Sequence, residues 1–304
     1  MVTRIGTAER DGTFHSQGLT LKAVLERRRS LGPIEVLESR SASIENANRL
    51  HAGEIELGFM ASNWIGRAKN GEPPFTQPID IRMVAPMNAG PLFFVTRADA
   101  DMATVADLRG RRVAVGMKTS GMVQHAHNIF GVLGLSFSHF TPIYLDFAAG
   151  ADALVAGEVD AQFQCPIPNK VMTELAECTA VRVLPYEAGD LERLMRAVSF
   201  YRPVIMRKGA IRGLDEDVAQ PAVVNVLATH ARVAEPIVHE TVAVIVAHAD
   251  ELARRNPLFA GLTELFEPLR SKGPAALSFG GVALHPGALA AYRAAGLLGD
   301  EAAE

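Results

Sequence analysis

The sequence is poor in cysteine, balanced in charge and free of long apolar runs. Two cysteines in 304 residues cannot build a disulfide framework or a four-cysteine zinc site. With 30 Lys and Arg against 34 Asp and Glu, the net charge is −4. That excludes the clustered basic surplus needed to bind nucleic acid or an anionic membrane. No segment approaches the roughly 18 consecutive apolar residues of a membrane span, so no direct membrane insertion is expected. Gly-x-Gly-x-x-Gly, Gly-x-Ser-x-Gly and Cys-x-x-Cys are all missing. Gly116-Met117-Lys118-Thr119 resembles a phosphate loop, but Met117 stands where a glycine is required. His239-Glu240 lacks a second histidine at metalloprotease spacing. His125 and His127, two apart on an expected helix, point to different faces. No metal and no cofactor are therefore expected. The segment from Met1 to Asp11 shows no basic region followed by an apolar run. This predicts a cytoplasmic protein as the sequence stands, and a periplasmic one if a signal peptide has been removed or missed.

What is present is a globular composition, 48% hydrophobic and 21% charged, in a length that suggests two domains at about 150 residues each. The chain also repeats itself. Ala52-Gly53-Glu54-Ile55-Glu56-Leu57-Gly58-Phe59-Met60 recurs as Ala156-Gly157-Glu158-Val159-Asp160-Ala161-Gln162-Phe163-Gln164. In each copy a helix ends at a glycine suited to the left-handed position, and a short alternating strand follows. Upstream, Arg4-Ile5-Gly6-Thr7 and Arg112-Val113-Ala114-Val115-Gly116 each lead through a glycine-containing turn into a helical stretch, around Leu19 to Leu31 and Met122 to Leu133. Strands alternating with helices predict an α/β protein with parallel-rich sheets. The expected organisation is a discontinuous lobe one (1–92 plus 203–304) and a lobe two (93–202), with crossings near 90–96 and 199–205. Beyond Asp215 the patterns predict helices over Ala219 to Ala231, over Pro236 to Arg255, and after His285-Pro286-Gly287.

With enzyme signatures missing, the chemistry-bearing segments are loops at strand C-ends and helix N-ends, where open α/β sheets take ligands. A helix N-terminus offers free N–H groups and partial positive charge. Thr119-Ser120-Gly121 adds two hydroxyls and a glycine that permits close approach. Asp11-Gly12-Thr13-Phe14-His15 is its counterpart in lobe one. Such loops suit a carboxylate or another small anion. Cys165, after the second repeat strand and beside Pro166, is the one candidate nucleophile, although no activating base is identifiable. Cys178 reads as a small buried apolar residue. The basic clusters Arg27-Arg28-Arg29 and Arg109, Arg111, Arg112 read as solvated faces.

An ordered set of segments resembles the TAXI-type solute-binding receptors of TRAP transporters across nearly the whole chain. These segments are Ile5-Gly6-Thr7 through Gly12-Thr13-Phe14 to Gly18, Ser41-Ala42-Ser43-Ile44-Glu45-Asn46, His51 to Phe59, Arg97-Ala98-Asp99 through Asp107-Leu108-Arg109-Gly110 to Val113, Thr119-Ser120-Gly121, Phe200-Tyr201, Asp215 to Val218, and Leu284-His285-Pro286-Gly287. The resemblance implies a bilobal fold of the periplasmic-binding-protein type (type II), with a ligand cleft between lobes that closes by a hinge. It implies capture of a small organic acid or amino acid, and a TRAP membrane permease as partner. The ligand-binding residues then expected are Thr13, Phe14, His15, Ser41, Ser43, Ser62, Asn63, Lys118, Thr119, Ser120, Gly121 and Cys165. Thr119 and Ser120 would hold a carboxylate and Phe14 would pack on the ligand's apolar part. The chain departs from the family at Ala8-Glu9-Arg10, in place of a Gly-Gly-rich opening, and at Ala61-Ser62-Asn63, in place of Gln-Ser-Asp. An Asn at 63 removes an acidic partner for a ligand ammonium. That favours a carboxylate ligand lacking an amino group, with Arg10, Arg40 and Lys118 as charged partners. The alternative is a cytosolic enzyme of decarboxylase or lyase type on the same fold, with Cys165, His15 or Glu9 in acid–base or nucleophilic roles, or a ligand sensor.

Overall fold

The computed structural model describes residues 2–10, 12–27, 31–118, 120–164 and 167–299. Its strands and helices run in the order β1 (Thr3–Gly6), α1 (Thr13–Leu25), β2 (Ile34–Leu37), α2 (Ser43–Ala52), β3 (Leu57–Ala61), α3 (Ser62–Asn70), β4 (Ile81–Pro91) and β5 (Phe93–Arg97). There follow β6 (Arg112–Ala114), α4 (Gly121–Val132), β7 (Thr141–Ile143), α5 (Phe147–Ala156), β8 (Ala161–Gln164), α6 (Lys170–Cys178), β9 (Val181–Leu184), α7 (Asp190–Ala197), β10 (Tyr201–Met206) and β11 (Val218–His230). The chain ends in α8 (Glu235–Ala247), α9 (Ala249–Arg255), α10 (Leu262–Phe266), α11 (Pro268–Lys272) and α12 (Pro286–Ala294). No helix among the described residues is long and apolar enough to cross a membrane.

Two compact units result, Met1–Ala89 with Val224–Glu304, and Gly90–Val223. The second crossing lies at 223/224 rather than near 199–205, because β10 does not leave unit two. It pairs antiparallel with the first half of β11, from Tyr201 opposite Val223 to Met206 opposite Val218, and so keeps 203–223 in that unit. The strand β11 corrects the helix expected over Ala219 to Ala231. Its apolar residues are buried almost without interruption, a pattern that periodicity alone cannot assign. Val and Thr favour the pleated surface, and Pro221 stands inside the stretch, where a helix would lose a hydrogen bond. The helix expected over Pro236 to Arg255 is broken at His248 into α8 and α9.

The units share one plan. In unit one β2, β1 and β3 are parallel and β11 runs antiparallel beside β3. In unit two β7, β6 and β8 are parallel and β5 runs antiparallel beside β8. The repeat glycines Gly53 and Gly157 end α2 and α5 with φ of 75° and 73°, the left-handed conformation that needs glycine. The acidic residue of each repeat closes the same hydrogen bonds. The Arg4 N–H donates to Glu56 Oε2 at 2.6 Å and the Arg112 N–H to Asp160 Oδ2 at 2.7 Å. Thr229 and Thr96 hydroxyls donate to the carbonyls of Glu56 and Asp160.

One buried amide has changed sides between the copies. In unit one Asn46, on α2, donates through Nδ2 to the carbonyls of Thr7 (2.7 Å) and Phe59 (2.9 Å). It lies over Gly6, where an added Cβ would come within 2.5 Å of Asn46 Oδ1. In unit two the helix position holds Gly150, and Gln162 on β8 reaches across it to donate to Phe147 O at 2.7 Å. An added Cβ at Gly150 would meet Gln162 Nε2 at 2.5 Å. Asn46 and Gly58 in one unit thus correspond to Gly150 and Gln162 in the other. Only one large side chain fits each helix–sheet contact.

Candidate functional site

In unit one, three helices start just after parallel strands end: α1 after β1, α2 after β2 and α3 after β3. Their N-caps are Gly12, Ala42 and Ala61, and no side chain caps them. Each first turn therefore keeps N–H groups without an intrahelical partner and the positive end of a helix dipole. Ala42 is the non-glycine residue with positive φ (42°) among those described, a conformation that costs on the order of 1–3 kcal/mol and clusters at ligand sites. The loops after β1 and β2 border a depression of about 600 Å³ lined by Ala8, Glu9, Arg10, Gly12, Ser39 and Arg40. Arg10 is paired with Glu38 at 3.1 Å. The exposed Arg40 guanidinium has no hydrogen bond or ion pair among the described residues, although its backbone N–H donates to Glu45 Oε2.

Unit two presents one such start. Ser120 is the N-cap of α4, with no side-chain cap bond, and its hydroxyl oxygen is buried without a partner. The turn before it depends on Gly116, at φ 96°, where an added Cβ would lie 2.8 Å from Met122 Cβ and 2.9 Å from Ser120 Oγ. Gly121 faces open space, with no atom within 4 Å of an added Cβ. Lys118, exposed, holds its ammonium 5.9 Å from the Tyr144 ring centroid, a cation–π arrangement. The other two helices that follow parallel strands of this unit are closed. The Asp146 carboxylate accepts from Ala149 N at 2.8 Å and Asn169 Oδ1 from Met172 N at 2.7 Å, so α5 and α6 carry their own caps.

The expected site residues separate into three groups. Thr13, Ser120, Gly121 and Asn63 lie at bare helix starts, and Asn63 Oδ1 is buried without a partner. Ser41 is exposed beside α2, and its N–H donates to Glu45 Oε2 at 3.4 Å. Ser43, Ser62, His15 and Phe14 face inward. Ser43 Oγ accepts from Ala61 N at 3.0 Å and Ser62 Oγ from Val224 N at 3.3 Å. His15 Nδ1 lies 3.2 Å from Thr7 Oγ1, a hydroxyl that also donates to Leu37 O. Phe14, expected on the ligand, is 7% exposed and packs on Phe59 with ring centroids 5.6 Å apart. Its place one turn before Gln17 and Gly18 puts it on the core face of α1. Thr119 and Cys165 lie outside the described residues. Cys178, expected in the core, is exposed at the end of α6, because the buried face of that helix is Met172, Leu175 and Ala176.

The partners of two buried polar groups were not legible in the sequence. His125 sits on α4 with Nδ1 2.9 Å from the hydroxyl of the buried Tyr201, and burial pushes its imidazole down to about 4. His127 turns the other way and stacks on Phe137 at 3.8 Å. Gln17 and Asn225 each donate a side-chain amide to Asn88 Oδ1 in unit one. The available signal was a polar residue at a core-face helix position, as Gln17 lies between Phe14 and Leu21. No group of three His, Cys, Asp or Glu able to hold a metal occurs among the described residues.

Among solved structures, the chain is similar to a periplasmic sulfonate-binding protein SsuA from Methylobacillus flagellatus, at 15% identity over 98% of this chain and 88% of that one, with a TM-score of 0.55. It is similar to a TctC solute binding protein from Polaromonas at 16% identity, covering 86% and 88%, with a TM-score of 0.55. A third is the periplasmic aliphatic sulphonate binding protein SsuA from Escherichia coli, at 20% identity, covering 86% and 78%, with a TM-score of 0.51. At these identities the likeness is one of fold, the α/β, two-sheet, bilobal architecture of periplasmic binding proteins. A family match over residues 5–296 goes further, and by it the chain belongs to the NMT1-like family.

Proposed function

We propose that this protein is a solute-binding protein of transporter type that holds a small organic anion at the strand C-ends of unit one, with the α4 loop of unit two a second anion-receptive element. The observation that carries this is the set of three bare helix N-termini, α1, α2 and α3, together with the uncommitted guanidinium of Arg40 in the depression bordered by the loops before α1 and α2. Each helix start favours an anion by about 0.3–1 kcal/mol, and Arg40 would add a charge-assisted bond. The structural neighbours named for sulfonates support a sulfonate head group. The finer reading is the TAXI type, with a carboxylate ligand, a TRAP permease as partner and a periplasmic location. It is supported by the ordered matches from Arg97 to Val113.

The test is a thermal-shift panel of ethanesulfonate, benzoate, succinate and glutamate, followed by mass analysis of the recovered ligand. A bound anion at 100 times its Kd adds roughly 2.7 kcal/mol of apparent stability and returns unaltered. Arg40→Ala weakens that anion about tenfold, as expected for one charge-assisted bond. A panel without any shift would overturn the proposal, and a consumed ligand would replace it with the enzyme reading.

A further inference from the structure

An asparagine stands beside each place where the chain passes between units. Asn88, on β4, lies two residues before Gly90, and Asn225, on β11, lies two residues after Val223. The two strands pair with each other. Asn225 Nδ2 donates to Asn88 Oδ1 at 3.2 Å, and Gln17 Nε2, from α1, donates to the same oxygen at 3.2 Å. Gln17 is fully buried and Asn88 is 4% exposed. The rest of β4 and β11 at this depth is apolar, with Val84, Ala85, Met87, Val224, Val226 and Leu227 in the core. Three amides in such surroundings are costly unless they satisfy one another, and apolar residues of similar size would pack there without that cost. Their placement links the first turns of α1 to both crossings through one shared oxygen.

We infer that Gln17, Asn88 and Asn225 form a clamp that ties both crossing strands to α1, so that an anion held at the α1 N-terminus sets how readily those strands open. The coupling to the anion rests on the proposed function; the clamp itself does not. Asn88 works only as an acceptor. A carboxyl group at 88, kept neutral by burial, accepts the same two amides through its carbonyl oxygen, whereas a leucine of similar size accepts neither. Gln17 acts at one remove from the ligand and is a positioning residue. Its Oε1 receives no hydrogen bond among the described residues, so the side chain is held through Nε2 alone and follows α1.

Amide hydrogen exchange on the full chain tests this. In Asn88→Leu, exchange over 84–90 and 222–228 rises tenfold or more while β6 and β8 stay as in wild type. Asn88→Asp keeps the wild-type pattern. Unchanged exchange in Asn88→Leu, or equal acceleration in Asn88→Asp, overturns the clamp. Should Asn88→Leu fail to fold, Gln17→Leu and Asn225→Leu each remove one donor, and each is expected to accelerate both segments by a smaller factor; no acceleration in either overturns it too. Ethanesulfonate is the probe for coupling. It slows both segments in wild type and not in Gln17→Leu; equal slowing in the two proteins overturns coupling through Gln17. If ethanesulfonate gives no thermal shift at all, sulfonates leave the proposed function, and the Asn88→Leu and Asn88→Asp comparison still decides the clamp.

Discussion

Asn46→Gly lowers stability by about 3 kcal/mol, and adding Gly58→Gln recovers part of it. The loss has two sources. Two buried amide bonds, to Thr7 O and Phe59 O, contribute about 1 kcal/mol each, and glycine inside α2 costs up to about 1 kcal/mol more. Gly58→Gln alone is also unfavourable. Its Cβ would lie 3.2 Å from Asn46 Cβ and 3.3 Å from Leu50 Cδ1, and overpacking of this kind costs about 1–3 kcal/mol. Together the two changes copy the arrangement of unit two, where Gln162 spans Gly150. The double-mutant cycle therefore shows a favourable coupling of about 1 kcal/mol or more, within the range of residues in contact. Urea denaturation of the four proteins measures it. Strict additivity would show that the two units do not share one helix–sheet contact in mirror-swapped form. The same change loosens the C-ends of β1 and β3, from which α1 and α3 start, so the anion binding proposed at those helix ends is expected to weaken with it.

The chain also loses about 3 kcal/mol of stability as pH falls from about 6.5 to 4, on account of His125 alone. Its imidazole is held down to about 4 by burial, against about 6.5 in the unfolded chain. Between these values the unfolded state binds more protons than the folded state, so stability rises with pH. The contribution is complete above about pH 6.5 and disappears as pH falls through the folded value. A shift of this size corresponds to about 3 kcal/mol at about 1.36 kcal/mol per unit. His125→Gln keeps a partner for the Tyr201 hydroxyl and cannot titrate. Urea midpoints from pH 4 to 7 should show wild type approaching or falling below the variant towards pH 4 by about that amount. Parallel curves would mean that His125 is protonated or solvated in the folded protein. His125 is one turn into α4, so the acid loss is expected first around the Ser120–Gly121 loop.

The repeat was legible because its signals are local. A glycine is required wherever the backbone turns left-handed, and Gly53 and Gly157 show it at matching positions. Alternating apolar residues after each glycine mark a strand whatever lies beside it. The glycine-containing turns mark where helices begin, and α4 starts at Gly121 as expected, while α1 runs over Thr13–Leu25, directly after its turn, rather than around Leu19 to Leu31.

Other features depended on what packs against the chain. The stretch from Val218 to His230 has the composition of a buried segment in either conformation, and only pairing with β10 and β3 makes it a strand. Phe14 stands in a ligand-type loop, yet its ring goes to Phe59, because one helical turn aligns it with the core face. Cys178 is apolar enough for the core, but α6 turns it outward. The clamp of Gln17, Asn88 and Asn225 joins positions up to 208 residues apart, and an Asn or Gln alone carries no mark of its partner. By itself the sequence determined the repeated α/β plan, its glycine turns and the helix starts, since each follows from backbone sterics within a few residues. The tertiary structure alone decided which side chains are spent inside and which helix starts stay bare, since burial and hydrogen-bond partners come from segments far apart in the chain.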